Sequence, residues 1–135
     1  HWDHIGALDE VKRATGAQVG VHRLDAERVK KWVDFYLEDG QEISFGAHRV
    51  RVIHTPGHSP GGVCLLIGKY LLSGDTIFPG GPGATSIPGA DYEQILRSIS
   101  EKIFVLPAET VVCPGHGEAT IVGEEMGTAP YRIAL

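Results

Sequence analysis

The sequence predicts an α/β layered fold. Apolar residues make up 42% of the chain and charged residues 21%, the balance of a globular domain rather than a disordered one. Runs with strand patterning mix with segments of helical periodicity. The strands are joined by hairpins as well as crossovers, which layers a sheet against helices. At 135 residues the chain reads as a single domain, residues 1–135, long enough to bury a core. Its 18 glycines and 8 prolines imply many tight turns and irregular loops.

Residues Ile5 to Thr15 read as an amphipathic helix, with Ile5, Leu8, Val11 and Ala14 on one side and Gly16 as the stop. Gln18 to His22 is a short strand. Asp25 is placed to cap a helix running through Glu27, Val29 and Trp32. The aromatic-rich segment Trp32 to Leu37 fits no single pattern, and Asp39-Gly40 marks a turn. Glu42 to Phe45 and Arg49 to His54 form two strands around the Gly46 turn. In the second, His48, Val50, Val52 and His54 share one face and Arg49 and Arg51 the other. Thr55 to Gly62 is a loop of turn formers. Val63 to Ile67 is a continuous apolar run, which predicts a strand covered on both faces.

Tyr70-Leu71-Leu72 is a strand that ends in Ser73-Gly74-Asp75, and Pro79 to Thr85 predicts no regular structure. Asp91 caps a helix with Gln94 at the capping-box position and a buried stripe of Ile95, Leu96, Ile99 and Ile103. Thr110 to Cys113 is a strand that ends in the sharp turn Pro114-Gly115-His116-Gly117. The tail after Thr120 is short and partly helical.

Charge and composition exclude several roles. The net charge is 12 minus 17, or -5, and no basic run is longer than Lys30-Lys31. Nucleic acid and anionic membrane surfaces are therefore poor partners. No apolar run is long enough to span a bilayer, and no signal-peptide pattern is visible. The chain starts at His1 without an initiator Met, so an upstream targeting segment would lie outside it. Cys64 and Cys113 sit in apolar strand-like runs and read as reduced, buried core thiols, which points to the cytoplasm.

The candidate chemistry begins at His1-Trp2-Asp3-His4, two imidazoles and a carboxylate within four positions. Neutral imidazole and carboxylate are ordinary ligands for zinc, iron or manganese, although this stretch alone reads equally well as an exposed terminus. His58, Asp75 and His116 share a pattern. Each ends or follows a predicted strand, and each is flanked by Gly or Pro, so a rigid scaffold presents it while the backbone crowds close. His54 reads as a buried histidine that steadies the His58 loop, His22 as a surface residue, and His48 as exposed at a turn. The Gly80 to Thr85 loop follows Asp75 closely enough to shape a cleft or to be a plain connector. Trp2 and Tyr92 serve equally well as pocket or packing residues.

Four motifs together resemble the metallo-β-lactamase fold. His1-Trp2-Asp3-His4 is similar to the back part of that family's His-x-His-x-Asp-His motif, and Thr55-Pro56-Gly57-His58-Ser59-Pro60-Gly61 to its third histidine loop. Ser73-Gly74-Asp75-Thr76-Ile77-Phe78 resembles the bridging-aspartate motif of the glyoxalase II-like branch, and Pro114-Gly115-His116-Gly117 the last histidine motif. The resemblance implies an αββα sandwich with two divalent metals, zinc first and iron or manganese next, in a cleft at one edge. His1 and His58 would bind the first, Asp3, His4 and His116 the second, and Asp75 would bridge them. It also implies that the motif's first histidine lies two positions before His1, outside this sequence, together with the first strands of the fold. The expectation is therefore a C-terminal portion whose exposed sheet would self-associate or meet a partner that completes it.

The implied activity is hydrolysis of a thioester or related activated acyl compound by a hydroxide held between the metals, with Asp3 orienting it and taking up a proton. Other chemistries of the fold are a lactonase, a phosphodiesterase and a mono-iron persulfide dioxygenase. A non-catalytic metal-binding module is the alternative from another class.

Overall fold

In a computed structural model, which describes residues 1–132, the chain builds a six-stranded sheet, two short two-stranded pairings and several helices. The elements in order are helices α1 (Trp2–Ile5) and α2 (Leu8–Thr15), strand β1 (Gly20–His22), a 3₁₀ helix (Arg23–Val29), and strands β2 (Phe35–Leu37), β3 (Glu42–Phe45), β4 (His48–His54), β5 (Val63–Ile67) and β6 (Tyr70–Gly74). A two-residue hairpin, β7 (Ile77–Phe78) with β8 (Gly81–Pro82), leads to α3 (Tyr92–Ser98). A π-helical segment, Ile99–Ile103, continues α3. Then come β9 (Val111–Pro114), β10 (Thr120–Ile121), α4 (Val122–Glu125) and α5 (Ala129–Arg132). The partly helical tail expected after Thr120 is present as α4 and α5, and its last three residues lie outside the described part.

The sheet order is β10-β9-β6-β5-β4-β3. Strands β3 to β6 form an antiparallel meander, and β9 joins β6 in parallel after the α3 crossover. This mixed sheet with packed helices is the α/β layering that the alternation of elements predicted. The core lies between the sheet and α3. Ile53, Cys64 and Leu71 point from β4, β5 and β6 toward Ile95, Ile99 and Ile103, all of them buried. Burying a side chain of this size contributes about 1.5–3 kcal/mol. Exposed pairs such as Arg13–Asp9 and Arg49–Glu42 contribute about 0–1 kcal/mol each, so the apolar stripe holds the helix to the sheet. Asp91 caps α3 as expected, its Oδ1 accepting the Gln94 N–H at 2.9 Å.

Several expectations need correction. The helix predicted from Ile5 is two helices separated at Gly6-Ala7, and neither buries a residue. Asp25 does not cap the following helix. His22 takes that position, its Nδ1 accepting the Leu24 N–H at 3.2 Å, because the chain turns one residue after β1 and the Asp25 carboxylate points elsewhere. The ambiguous aromatic segment supplies β2, which pairs with β1 in parallel, a long-range pairing that no local pattern encodes. Within Pro79 to Thr85, Gly81 and Pro82 pair with Ile77 and Phe78. Strand β5 is not covered on both faces. Cys64 is fully buried, but Leu65 and Ile67 look onto an apolar hollow shared with Phe35, Leu37, Ile43 and Leu72, part of it lined by the β1–β2 pair. Phe45, on the same side, is 67% exposed. Cys113 is half-buried rather than buried, and both cysteines are free. No helix among the described residues is long and apolar enough to cross a membrane.

Candidate metal centre

One edge of the sheet collects the chemistry. The C-terminal ends of β4, β6 and β9 and the start of β5 all lie there, because β4, β6 and β9 run in one direction and β5 in the other. His58 sits in the β4–β5 loop, Asp75 follows β6, and His116 follows β9. Parallel pairing brings Gly74 opposite Pro114, and the Gly115 N–H donates to the Gly74 carbonyl at 2.8 Å, so Asp75 and His116 leave the sheet side by side. Helix α1 lays His1, Asp3 and His4 across this edge.

All six predicted residues come together. The Oδ2 of Asp75 is 3.1 Å from His4 Nε2, 3.5 Å from His58 Nε2 and 3.6 Å from His116 Nε2. Asp3 Oδ2 lies 3.0 Å from His116 Nε2 and 3.5 Å from His4 Nε2. His58 Nε2 is 3.1 Å from His1 Nδ1. The donor atoms of Asp3, His4, Asp75 and His116 lie within 4.8 Å of one another. His1 and His58 form a second pair that reaches the group through Asp75. The other Asp75 oxygen, Oδ1, is buried and has no hydrogen-bond partner. A buried carboxylate oxygen without a partner is costly, and a cation removes that cost. Imidazole nitrogens and carboxylate oxygens facing one point are the donor set that zinc, iron and manganese take, so the residues fit a metal.

The surroundings fix these donors. His58 Nδ1 is 2.7 Å from the Ala84 carbonyl, which can only accept, so Nδ1 carries the proton and Nε2 presents its lone pair to the centre. The Ser59 hydroxyl and the Gly61 N–H donate to the two oxygens of Asp25 at 2.5 and 2.9 Å, which clamps the loop on both sides of Pro60. His54 is half-buried rather than buried as expected; it packs face to face on His22 at 4.0 Å and bonds the Pro60 carbonyl through Nε2 at 2.9 Å, which steadies the His58 loop. Behind Asp75, the buried hydroxyls of Thr55 and Thr76 bond each other at 3.1 Å and Ser73 Oγ donates to the Ile77 carbonyl at 3.2 Å. Burial pushes the Cys64 thiol in this cluster up, against the hydrogen bonds from Thr55 and Thr76, which keeps it protonated. For Asp3, loss of water pushes the carboxyl up, but a backbone hydrogen bond and the adjacent His4 and His116 outweigh this and hold it below the usual carboxylate range.

Two glycines are required by close approach. A Cβ on Gly115 would lie 2.5 Å from Asp75 Oδ1 and 2.6 Å from His4 Cε1, and one on Gly83 would lie 1.7 Å from the Asp75 carbonyl oxygen. The segment from Phe78 to Ala84 walls an open cleft of about 540 Å³ above His58, Asp75 and His116. The loop after Asp75 thus shapes the cleft. Trp2 is 82% exposed and Tyr92 49%, and neither lines it. His48 is exposed. The close approach expected of the glycine beside His116 is present at Gly115, whereas the roles of Asp25 and the Ala84 carbonyl are not encoded locally. Both act across long sequence separations, 26 residues for Ala84 with His58 and 34 and 36 for Asp25 with Ser59 and Gly61.

Residues 1–116 match the model of the metallo-beta-lactamase superfamily. The chain belongs to this family. Its sequence is 36% identical to a probable metallo-hydrolase of Bacillus subtilis, YqgX, over 97% of this chain and 71% of that protein. It is 27% identical to the hydroxyacylglutathione hydrolase GloC of Haemophilus influenzae, with the same coverage of both chains. Among solved structures, the BLEG-1 B3 metallo-beta-lactamase superposes with a TM-score of 0.86 at 34% identity, covering 97% of this chain and 72% of that one. TTHA1623 in a di-iron-bound form superposes at 0.82 with 35% identity, covering 97% and 73%. The metallo-beta-lactamase fold is thereby shown, spanned in part, and the family is one of metallo-hydrolases.

Proposed function

We propose that this chain carries the centre of a binuclear metal-dependent hydrolase that cleaves thioesters or related activated acyl compounds. The observation that carries the reading is Asp75. One oxygen of a single carboxylate faces imidazoles from both donor sets, and the other is buried without a partner. Two cations held close together need an anionic ligand between them to limit their repulsion. His1 and His58 would hold one ion, Asp3, His4 and His116 the other, and Asp75 both; zinc is the first expectation.

Bound divalent cations supply Lewis acidity, which lowers the pKa of water and polarises a carbonyl. The chain's own residues do the rest. The Ala84 carbonyl keeps the His58 proton on Nδ1 and leaves Nε2 free as a donor atom. Asp3, held ionised beside His116, is placed to take a proton from an attacking water. Phe78 and the segment to Ala84 set the substrate against the donors and shield one side of the cleft. The thioester assignment is supported by the Gly74-Asp75-Thr76-Ile77-Phe78 wording and by the likeness to GloC. A second reading, β-lactam hydrolysis, is favoured by the likeness to BLEG-1.

Elemental analysis of the protein purified without chelator tests the centre, with about two equivalents of metal per chain expected. A substrate panel of glutathione thioesters, small acyl thioesters and a chromogenic β-lactam tests the chemistry. Thioester turnover that is lost in Asp75→Ala and His58→Ala, with the fold intact, is the expected result. A chain that takes up no metal, or turnover indifferent to both substitutions, would overturn the proposal.

A further inference from the structure

The C-terminal segment holds an acid that the metal chemistry does not use. Glu125, in α4, is 3% exposed. Its Oε2 accepts the Gly80 N–H at 2.8 Å, and its Oε1 accepts from the Thr120 hydroxyl at 2.7 Å. A carboxylate withdrawn from water is costly unless donors meet both oxygens, and here one of them is a backbone N–H 45 residues earlier. Gly80 is the turn of the β7–β8 hairpin. Beyond it the Gly83 N–H donates to the Thr76 carbonyl at 3.1 Å, and the Ala84 carbonyl accepts the hydrogen bond from the His58 Nδ1–H. Before the turn, Phe78 stacks on His116, 6.4 Å between centroids and 24° between planes. One hairpin therefore touches a donor on each side of Asp75, and Glu125 ties down its tip.

We propose that Glu125 is a positioning residue for the metal centre. By holding the Gly80 N–H it fixes the hairpin that orients His58 through Ala84 and backs His116 through Phe78. The inference rests on reading the six donors as a metal centre. A purely structural role would cost stability alone, so the test reads the centre itself.

The experiment uses the full natural chain and four proteins: wild type, Glu125→Ala, Glu125→Gln and Thr120→Val. Zinc affinity is measured by competition with a chromophoric chelator, and the His58 Nδ1 proton by long-range ¹H–¹⁵N correlation of the imidazoles. Glu125→Ala is expected to weaken zinc binding about tenfold, the lower end of what outer ligand partners contribute, and to broaden or shift the His58 signal. Glu125→Gln keeps an oxygen for Gly80 and lets the Thr120 hydroxyl rotate to accept, so it should stay within about twofold of wild type. Thr120→Val keeps the Gly80 contact and should lower only the thermal midpoint. Should Glu125→Ala fail to fold, Glu125→Asp, which shortens the reach to Gly80, replaces it with the same expectations.

Wild-type zinc affinity and an unmoved His58 signal in the Ala or Asp variant would overturn the proposal, however far the midpoint falls. So would a Thr120→Val protein that loses as much zinc affinity as Glu125→Ala. A wild-type chain that binds no zinc would sink the metal reading instead, and the His58 signal would still decide whether Glu125 governs that ring.

Discussion

Replacing Asp25 by Ala removes both hydrogen bonds that clamp the His58 loop to the 3₁₀ helix. The Ser59 hydroxyl and the Gly61 N–H each donate to this carboxylate, at 2.5 and 2.9 Å in a part-buried setting. A hydrogen bond to a charged group contributes about 1.5–3 kcal/mol. Water can partly replace the lost acceptor here, so the low end applies to each, and the pair is worth about 3 kcal/mol. A chain of 135 residues unfolds with an entropy of about 0.28 kcal/mol/K, so the thermal midpoint should fall by about 10 °C. Thermal unfolding followed by circular dichroism in the presence of chelator isolates this effect from any metal. Asp25→Asn, which keeps a carbonyl for Gly61 and an amide that the Ser59 oxygen can accept from, should recover more than half of the loss. A shift below about 3 °C for Asp25→Ala would mean that the loop is held by other contacts and that the clamp reasoning is wrong.

Two further expectations follow from geometry and charge. Gly115→Ala forces a methyl group into Asp75 Oδ1 and His4 Cε1, so zinc affinity should drop at least about tenfold while the circular dichroism spectrum stays native; an unchanged affinity would show that the turn after β9 yields easily. Partial burial pushes Asp39 up, but the His54 N–H and Lys102 more than offset it and hold its carboxyl below the ordinary 3.8. Its contribution is therefore present above 3.8 and lost as pH falls through the lower folded value. Urea midpoints of wild type and Asp39→Asn should differ slightly at neutral pH and converge in acid, and a gap that persists in acid contradicts the assignment.

His58, Asp75 and His116 were legible because each is a reactive residue set among Gly and Pro at the end of an apolar run, a local pattern with a local cause. The Asp91 cap and the Ile95, Ile99 and Ile103 stripe were legible for the same reason. Asp25 was misread because the capping preference of aspartate is local, whereas its partners Ser59 and Gly61 lie 34 and 36 residues away. Nothing near Glu125 in sequence says that its carboxylate meets Gly80, 45 residues earlier. The apolar run of β5 was read as covered on both faces because periodicity reports which side chains are apolar, and not what packs on them.

The parallel pairing of β6 with β9 also bears on kinetics. It closes a long crossover, from Gly74 to Val111, and such non-local pairings are slow to form because the loop must be ordered before any contact rewards it. Asp75 and His116 hang from this pair, so the donor set is complete only once this non-local pairing has formed. A cation that binds only the completed site adds nothing to a transition state in which β6 and β9 are still apart. Its binding energy then falls almost wholly on the unfolding barrier, and the loaded protein gains lifetime rather than folding speed.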